Sequence, residues 1–486
     1  MIYHSTRNEQ LTASSTHAVL QGIAPDGGLY ICDPAALRFD WRAALEKDTL
    51  SMAADILHAL LPDFQDMDRL VRDSYAGKFP TSDLTPLTPV ADKYVLELYH
   101  GPTSAFKDVA LSVLPRLIVA AAKAEGMKGD VVILTATSGD TGKAAMEGFH
   151  DVPGTRITVF YPYGGVSAVQ QAQMATQEGA NVRVCAVRGN FDDAQTGVKE
   201  IFAACKDKDL HGAMLSSANS INIGRLAPQV VYYFRAYGDL VKSGRIHLGD
   251  VVDYTVPTGN FGDILAAYYA KRMGLPVNRL ICASNSNNVL TDFLRTGIYD
   301  RNRPFHTTIS PSMDILISSN LERLLFDLSG ENDAEIRIYM DALGSAGRYQ
   351  VSDNIKAKLD DAFWGGCCSE EGTEETIRRY WQDHNYLIDP HTAVAAEVLA
   401  QYRVASGDET PAVVVSTASP YKFCGSVLTA IGETPCGDGL ELLDQLHAVS
   451  GVPVPCRLAE LKGKSRRFDK TVEKQAMEQA VLDFLK

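Results

Sequence analysis

From about residue 93 onward, short β-branched runs alternate with longer stretches whose apolar residues return every three or four positions. The runs "KYVLELYH", "DVVILTAT", "TRITVFYP", "NVRVCAV", "AMLSSAN" and "VVDYTVPT" read as buried strands. Between them the spacing predicts helices over about 108–125, 141–149, 192–206, 223–241 and 262–273. Two more strands are expected at "RLICASN" and "AVVVSTAS". Such alternation predicts parallel α/β layers. Pro115 falls inside the first helix, where a missing N–H predicts a kink or an early break. Ahead of this series lie two helical patterns, "DWRAALEKDTLSMAADILHALL" and "DMDRLVRDSYAGKF", closed by the turn-rich "PTSDLTPLTPVADKY". The division expected is 1–93, 94–250, 251–435 and a C-terminal extension 436–486 ending in the helix "KTVEKQAMEQAVLDFLK".

Three times a Val-rich strand runs into a small polar loop: "VVILTATSGDTGKAA", "VVDYTVPTGNFGDILAA" and "VVVSTASPYKF". In open α/β sheets ligands gather beyond the carboxyl ends of strands, where all three loops belong. Gly259, Asn260, Phe261 and Gly262 leave a strand and open a helix, a place suited to a phosphate. Read alone, the same loop is more simply an ordinary strand-to-helix turn that holds nothing. "TATSGDTGKAA" is not a nucleotide P-loop, because Thr137 replaces the first glycine and Ala144 the Ser/Thr. It still groups Thr137, Ser138, Asp140 and Thr141 at a helix start, as a carboxylate site or as a capping segment with Asp140 or Thr141 as N-cap. "SSANSINIGRL" supplies Asn219, Ser220, Asn222 and Arg225, good anion chemistry or a solvated helix start.

"HGPTSAFKDVAL" sets Lys107 between Phe106 and an apolar helix. A lysine of pKa about 10.4 is neutral in roughly one molecule in a few thousand at pH 7. Amine chemistry therefore needs burial or covalent attachment to a carbonyl cofactor. Alone, the position suits a structural lysine; beside two anion loops and a hydroxyl-bearing third, it suits chemistry.

Composition narrows the field. A chain of 486 residues with 45% hydrophobic and 22% charged content has material for two or three cores. A net charge of −14 disfavours nucleic-acid and anionic-membrane partners. Nine scattered cysteines without a CxxC predict neither a disulfide framework nor a zinc site, and no metal is expected. With no signal core or long apolar run, a cytoplasmic location is expected.

"HGPTSAFKD", "TATSGDTG", "SANSIN", "GNFGD" and "STASPYKF", in this order, together with "YHSTRN" and "PDGGLY" near the start, resemble the threonine synthase family, and specifically its longer bacterial and fungal branch. The resemblance covers nearly the whole chain. It implies a tryptophan synthase β-like fold (pyridoxal-phosphate fold type II), with two open, mostly parallel α/β domains plus an N-terminal domain. The lysine and the "TSGDTG" loop would belong to the smaller domain and the phosphate loop to the larger. Pyridoxal 5'-phosphate is the implied cofactor, joined to Lys107 as an imine. Gly259, Asn260, Phe261, Gly262 and Asp263 would cradle its phosphate, and Thr417 would face its ring nitrogen. Thr137, Ser138, Asp140 and Thr141 would hold the substrate carboxylate or lie beside the cofactor. A carboxylate repels a carboxylate, so Asp140 is expected nearer the cofactor or a backbone amide. Asn219, Ser220 and Arg225 would bind the substrate phosphate, with Lys422 a weaker anion candidate. The implied reaction turns O-phospho-L-homoserine and water into L-threonine and phosphate, in a monomer or homodimer. A phospholyase releasing 2-oxobutyrate, ammonia and phosphate would carry the same motifs. A non-catalytic phospho-ligand module, in which Lys107 merely contacts an anion, is the reading from another class.

Overall fold

The computed structural model describes residues 2–485 apart from 38, 206–207, 209, 211 and 438. Strands are numbered in chain order. Six form the larger sheet, in the order β14-β11-β10-β15-β5-β4: β4 (Leu87–Val90), β5 (Lys93–Glu97), β10 (Val252–Pro257), β11 (Val277–Ser284), β14 (Phe363–Cys367) and β15 (Ala412–Ser416). Only β4 runs antiparallel. Five parallel strands form the other, in the order β16-β8-β7-β6-β9: β6 (Val131–Ala136), β7 (Thr155–Pro162), β8 (Val182–Val187), β9 (Met214–Ser216) and β16 (Thr471–Val472). Small antiparallel sheets join β1 (Tyr3–Ser5), β2 (Asn8–Ala13) and β3 (Tyr30–Ile31), and β12 (Ile298–Asp300) with β13 (Arg348–Gln350). The Val-, Ile- and Leu-rich strands are buried on both faces because helices cover both.

Each large sheet has a point where the strand order reverses. In one, the chain leaves β10 for β11 on one side, while β15 lies on the other. In the second, β6 leads to β7 on one side and has β9 on the other. The loops after β6, β9, β10 and β15 therefore open at two switch points, and these are the four polar loops singled out above.

Several expectations are corrected. The strand leading to Lys107, β5, hydrogen-bonds to β15, so the lysine springs from the larger sheet and not from the 94–250 unit. Order along the chain was read as neighbourhood in space, and β5 pairs with a strand some 320 residues later. The 93/94 and 435/436 boundaries are likewise crossed, by the β4–β5 hairpin and by β16 docking on β8. Residues 3–75 are stitched to the body: Tyr75 Oη donates to the Val109 carbonyl at 2.9 Å, and Asn222 Nδ2 to that of Val19 at 2.9 Å.

Pro115 does not break its helix, which runs uninterrupted over Lys107–Ala124. Proline leaves the Leu111 carbonyl without its i+4 donor. Gly148, on the adjacent Asp140–Phe149 helix, presses against that oxygen, and a Cβ there would lie 2.0 Å from it. Gly148→Ala is expected to separate the two helices and cost about 1–3 kcal/mol. Denaturant melts of the two proteins test this.

Candidate active site

The lysine loop is held by its neighbours. Phe106 N–H donates to the Thr417 carbonyl at 2.8 Å and Ser419 N–H to that of Ser104 at 3.1 Å, so the loops after β5 and β15 are braided. Inside the turn Asp108 accepts from Thr103 N–H at 2.8 Å and from its hydroxyl at 2.5 Å. The Asp108 carboxyl, pushed up to about 6 by burial, stays within this turn. Lys107 then opens the helix, buried at 9% exposure.

Burial drives the Lys107 amine down to about 8. Asp140 opposes the shift, while Arg225 and Lys422 add to it. Its Nζ stands 3.8 Å from Asp140 Oδ2 and 4.6 Å from the Phe106 ring centroid. Asp140 is already engaged: Lys422 Nζ pairs with Oδ1 at 2.6 Å and Gln170 Nε2 donates to it at 2.8 Å. Burial alone would raise the Asp140 carboxyl, but the two lysines and Gln170 outweigh it and hold it well below the usual range. Asp140 is thus a shared counter-ion for two lysines. Lys422, offered as an anion ligand, is spent on Asp140 and on the Thr103 carbonyl at 3.0 Å.

Around it, the "TATSGDTG" loop resolves into separate duties. The Thr137 hydroxyl accepts from Gly139 N–H at 3.0 Å and Gly142 N–H at 2.9 Å. It braces the loop with its lone pairs, and Gly139, in place of the expected Asp140 or Thr141, stands at the helix N-cap with no side-chain cap. A buried hydroxyl beside two unpaired amides satisfies them first. Ser138 and Thr141 are only partly buried and remain open to the cleft.

In the glycine loop, a Cβ at Gly259 would lie 2.6 Å from the Ser312 carbonyl, so only glycine lets the chain pass. Phe261 takes a left-handed φ of 64° to turn into the Gly262–Arg272 helix. Asn320 N–H and Nδ2 both donate to the Asn260 carbonyl at 3.1 Å. Asp263, expected in the phosphate cradle, turns instead toward Tyr233 Oη at 2.7 Å and Tyr232 Oη. Burial pushes its carboxyl up to about 6, against those two bonds and the Lys107 charge. A carboxylate beside a phosphate would be repelled; the tyrosines hold Oδ1, while Oδ2 is buried without a hydrogen-bond partner among the described residues.

Arg225 is buried, and its Nη1 donates to the Ala218 carbonyl at 2.7 Å. Among the described residues no carboxylate pairs with it, and burial drives its guanidinium down to about 10. Asn222 is the helix N-cap, its Oδ1 accepting from Gly224 N–H at 2.9 Å. Asn219 and Ser220 are half-buried, and the Ser220 Cβ lies 3.6 Å from where a Gly262 Cβ would stand. The loops after β9 and β10 therefore meet. Thr417 is 6% exposed at the end of β15.

The motifs missed Gln170, Asn320 and the pair Tyr232–Tyr233. Gln170 alone left a signal, the S-x-x-Q capping box of "SAVQ", in which Ser167 N–H donates to Gln170 Oε1 at 3.1 Å.

The donor set fits a phosphorylated aldehyde cofactor. It offers a buried amine, a glycine-lined helix start, a neutral hydroxyl at Thr417 and a second cation, Arg225, without a carboxylate of its own. Comparison with known proteins agrees. Residues 83–418 match the pyridoxal-phosphate dependent enzyme family, residues 2–75 the threonine synthase N terminus and residues 392–481 the threonine synthase C-terminal region. Threonine synthase of Pseudomonas aeruginosa is 38% identical over 443 residues, covering 90% of this chain and 92% of that protein. Threonine synthase-like 1 of Homo sapiens is 38% identical over 439 residues, and the chain spans 58% of its length. The crystal structure of pyridoxal-phosphate-bound threonine synthase from Brucella melitensis superposes with a TM-score of 0.88 at 37% identity, covering all of both chains. By sequence and by fold, the chain belongs to the threonine synthase family of pyridoxal-phosphate-dependent enzymes.

Proposed function

We propose that this chain is a carbon–oxygen lyase that converts O-phospho-L-homoserine and water to L-threonine and inorganic phosphate, with pyridoxal phosphate as cofactor. One observation carries the reading: a buried amine at Lys107 and a buried guanidinium at Arg225, with no carboxylate paired to it, share one electrostatic field. A cofactor with one phosphate and a substrate with another need two anion sites. The loop at Gly259, Asn260, Phe261 and Gly262 serves the first, where first-turn N–H groups lack partners within the helix. Arg225, with Asn219 and Ser220, serves the second.

When bound, the cofactor supplies an electrophilic aldehyde and a ring that withdraws negative charge from the substrate Cα. The chain's own residues do the rest. Lys107, with its amine down at about 8, reaches the neutral form near physiological pH and can take the Cα proton. Thr417 offers the ring nitrogen a hydroxyl in place of a carboxylate, so that nitrogen is not held charged. Ser138 and Thr141 receive the substrate carboxylate. Asp140 stays with Lys422 and keeps positive charge from accumulating around Lys107. For phosphate to leave from Cγ toward Arg225 a second proton must leave Cβ. A proton then returns to Cγ, water adds its hydroxyl at Cβ, and Cα is reprotonated, with Lys107 the amine placed to carry these protons.

The test is an absorbance time course on adding O-phospho-L-homoserine to the holoenzyme, with products identified. Threonine and phosphate in equal amounts support the proposal. Dominant 2-oxobutyrate would move the chain to the phospholyase reading, and a colourless protein indifferent to the substrate would make it a binding module. Arg225→Gln is expected to lower kcat/KM for this substrate about 10²- to 10³-fold while leaving the cofactor absorbance in place.

A further inference from the structure

An open cavity lies away from the cleft. About 680 Å³ in volume, it sits between the Met67–Tyr75 helix with the turn after it, the far half of the Lys107–Ala124 helix, and residues 147–153. Leu70, Val119, Ala120 and Val152 give it an apolar floor. Its charges are unevenly matched. Asp73 is paired with Arg69 at 3.6 Å, Glu147 with Lys143 at 3.1 Å, and Asp151 with His150 at 3.1 Å. Lys78 and Arg116 both line the cavity and are only half-exposed. Among the described residues neither has a hydrogen-bond or ion-pair partner for its charged group. Lys123, exposed at the rim, is a third lining cation without a partner and exposed Asp66 a lining carboxylate without one. Among the described residues the unpaired charges thus leave an excess of two cations, which calls for an anion from outside.

We propose that this cavity is a binding site for a small organic anion, a carboxylate or phosphate monoester whose apolar body rests on Leu70 and Val119 and whose charge is taken by Lys78 and Arg116. Burial and the Arg116 charge lower the Lys78 amine to about 8 against the pull of the Glu147 and Asp108 carboxylates, so the negative charge already near it does not offset its burial. The cavity is joined to the cleft by two helices, whose first residues are Lys107 and Asp140. The inference does not rest on the proposed reaction.

Phenyl phosphate is a suitable probe, its ring matching the floor and its phosphate the cations. Calorimetric titration of the holoenzyme is expected to give two equivalents bound, one in the cleft at Arg225 and one here. Lys78→Ala/Arg116→Ala should keep the cleft equivalent and weaken the other at least about tenfold. Arg225→Gln should do the reverse. Two unchanged equivalents in the double variant overturn the proposal, as does a single equivalent in the wild type that only Arg225→Gln removes. If Arg225→Gln changes nothing while the double variant loses one equivalent, this site stands and the cleft anion site falls. In a second measurement, acylation of Lys78 at pH 8 in the wild type should slow with phenyl phosphate present. Unaltered labelling overturns the proposal without recourse to any variant.

Discussion

Lys107→Met is expected to abolish turnover, by at least about 10³-fold, and yet to make the cofactor-free protein more stable. The two effects share one cause. In the fold the amine titrates at about 8, against an ordinary value of 10.5. The unfolded chain holds that proton more tightly, so burying the lysine costs on the order of 3 kcal/mol while both states are protonated. The penalty is complete below pH 8 and fades as pH rises toward 10.5, where the amine is neutral in either state. Denaturant melts of the cofactor-free proteins should therefore show the largest gain for Lys107→Met at pH 7 and almost none near pH 10.5. A variant that was inactive and less stable at pH 7 would mean that the amine is comfortably placed, and that its shift does not prepare it for proton transfer.

Lys422→Met is expected to be the most destabilising single change in the cleft, by about 3–5 kcal/mol, because it leaves Asp140 buried without its 2.6 Å partner. Adding Asp140→Asn to that variant should restore most of the loss, since the orphaned charge disappears with its partner. The pair can also be read in the rate profile. Asp140→Asn alone removes the one nearby group that raises the Lys107 amine most, so the acid limb of the pH–rate profile should move to lower pH. A pair that merely filled space would leave that limb in place.

Apart from the Ala168–Ala175 helix, which the periodicity did not predict, the strands and helices of residues 93–284 were legible in the sequence to within a few residues, because buried parallel strands are short Val- and Ile-rich runs separated by helical periodicity. "TRITVFYP" is β7 from its first residue to its last. By contrast, β14, "FWGGC", carries two glycines and no alternation, and only pairing with β11 makes it a strand. The four site loops were legible because strand ends with small polar residues have few other uses. What they hold was less so. Asp140 meets Lys422 across 282 positions of sequence, and Asp263 finds its tyrosines on another helix, so neither partner leaves a local mark. Thr137 shows the same limit: a hydroxyl in a polar loop looks the same in sequence whether it faces a ligand, braces the turn or does both.

Thr471 and Val472 make up the shortest strand of the five-stranded sheet, yet they close its β8 border. Uncovered, that border would present a row of free amides and carbonyls to any passing extended chain, beside the apolar ground now shielded by Met477 and Val481. A protein trimmed at residue 469 would keep its cleft intact and become its own adhesive, clumping in proportion to concentration. Covering a sheet border is thus what this stretch of chain does in the fold, away from Lys107.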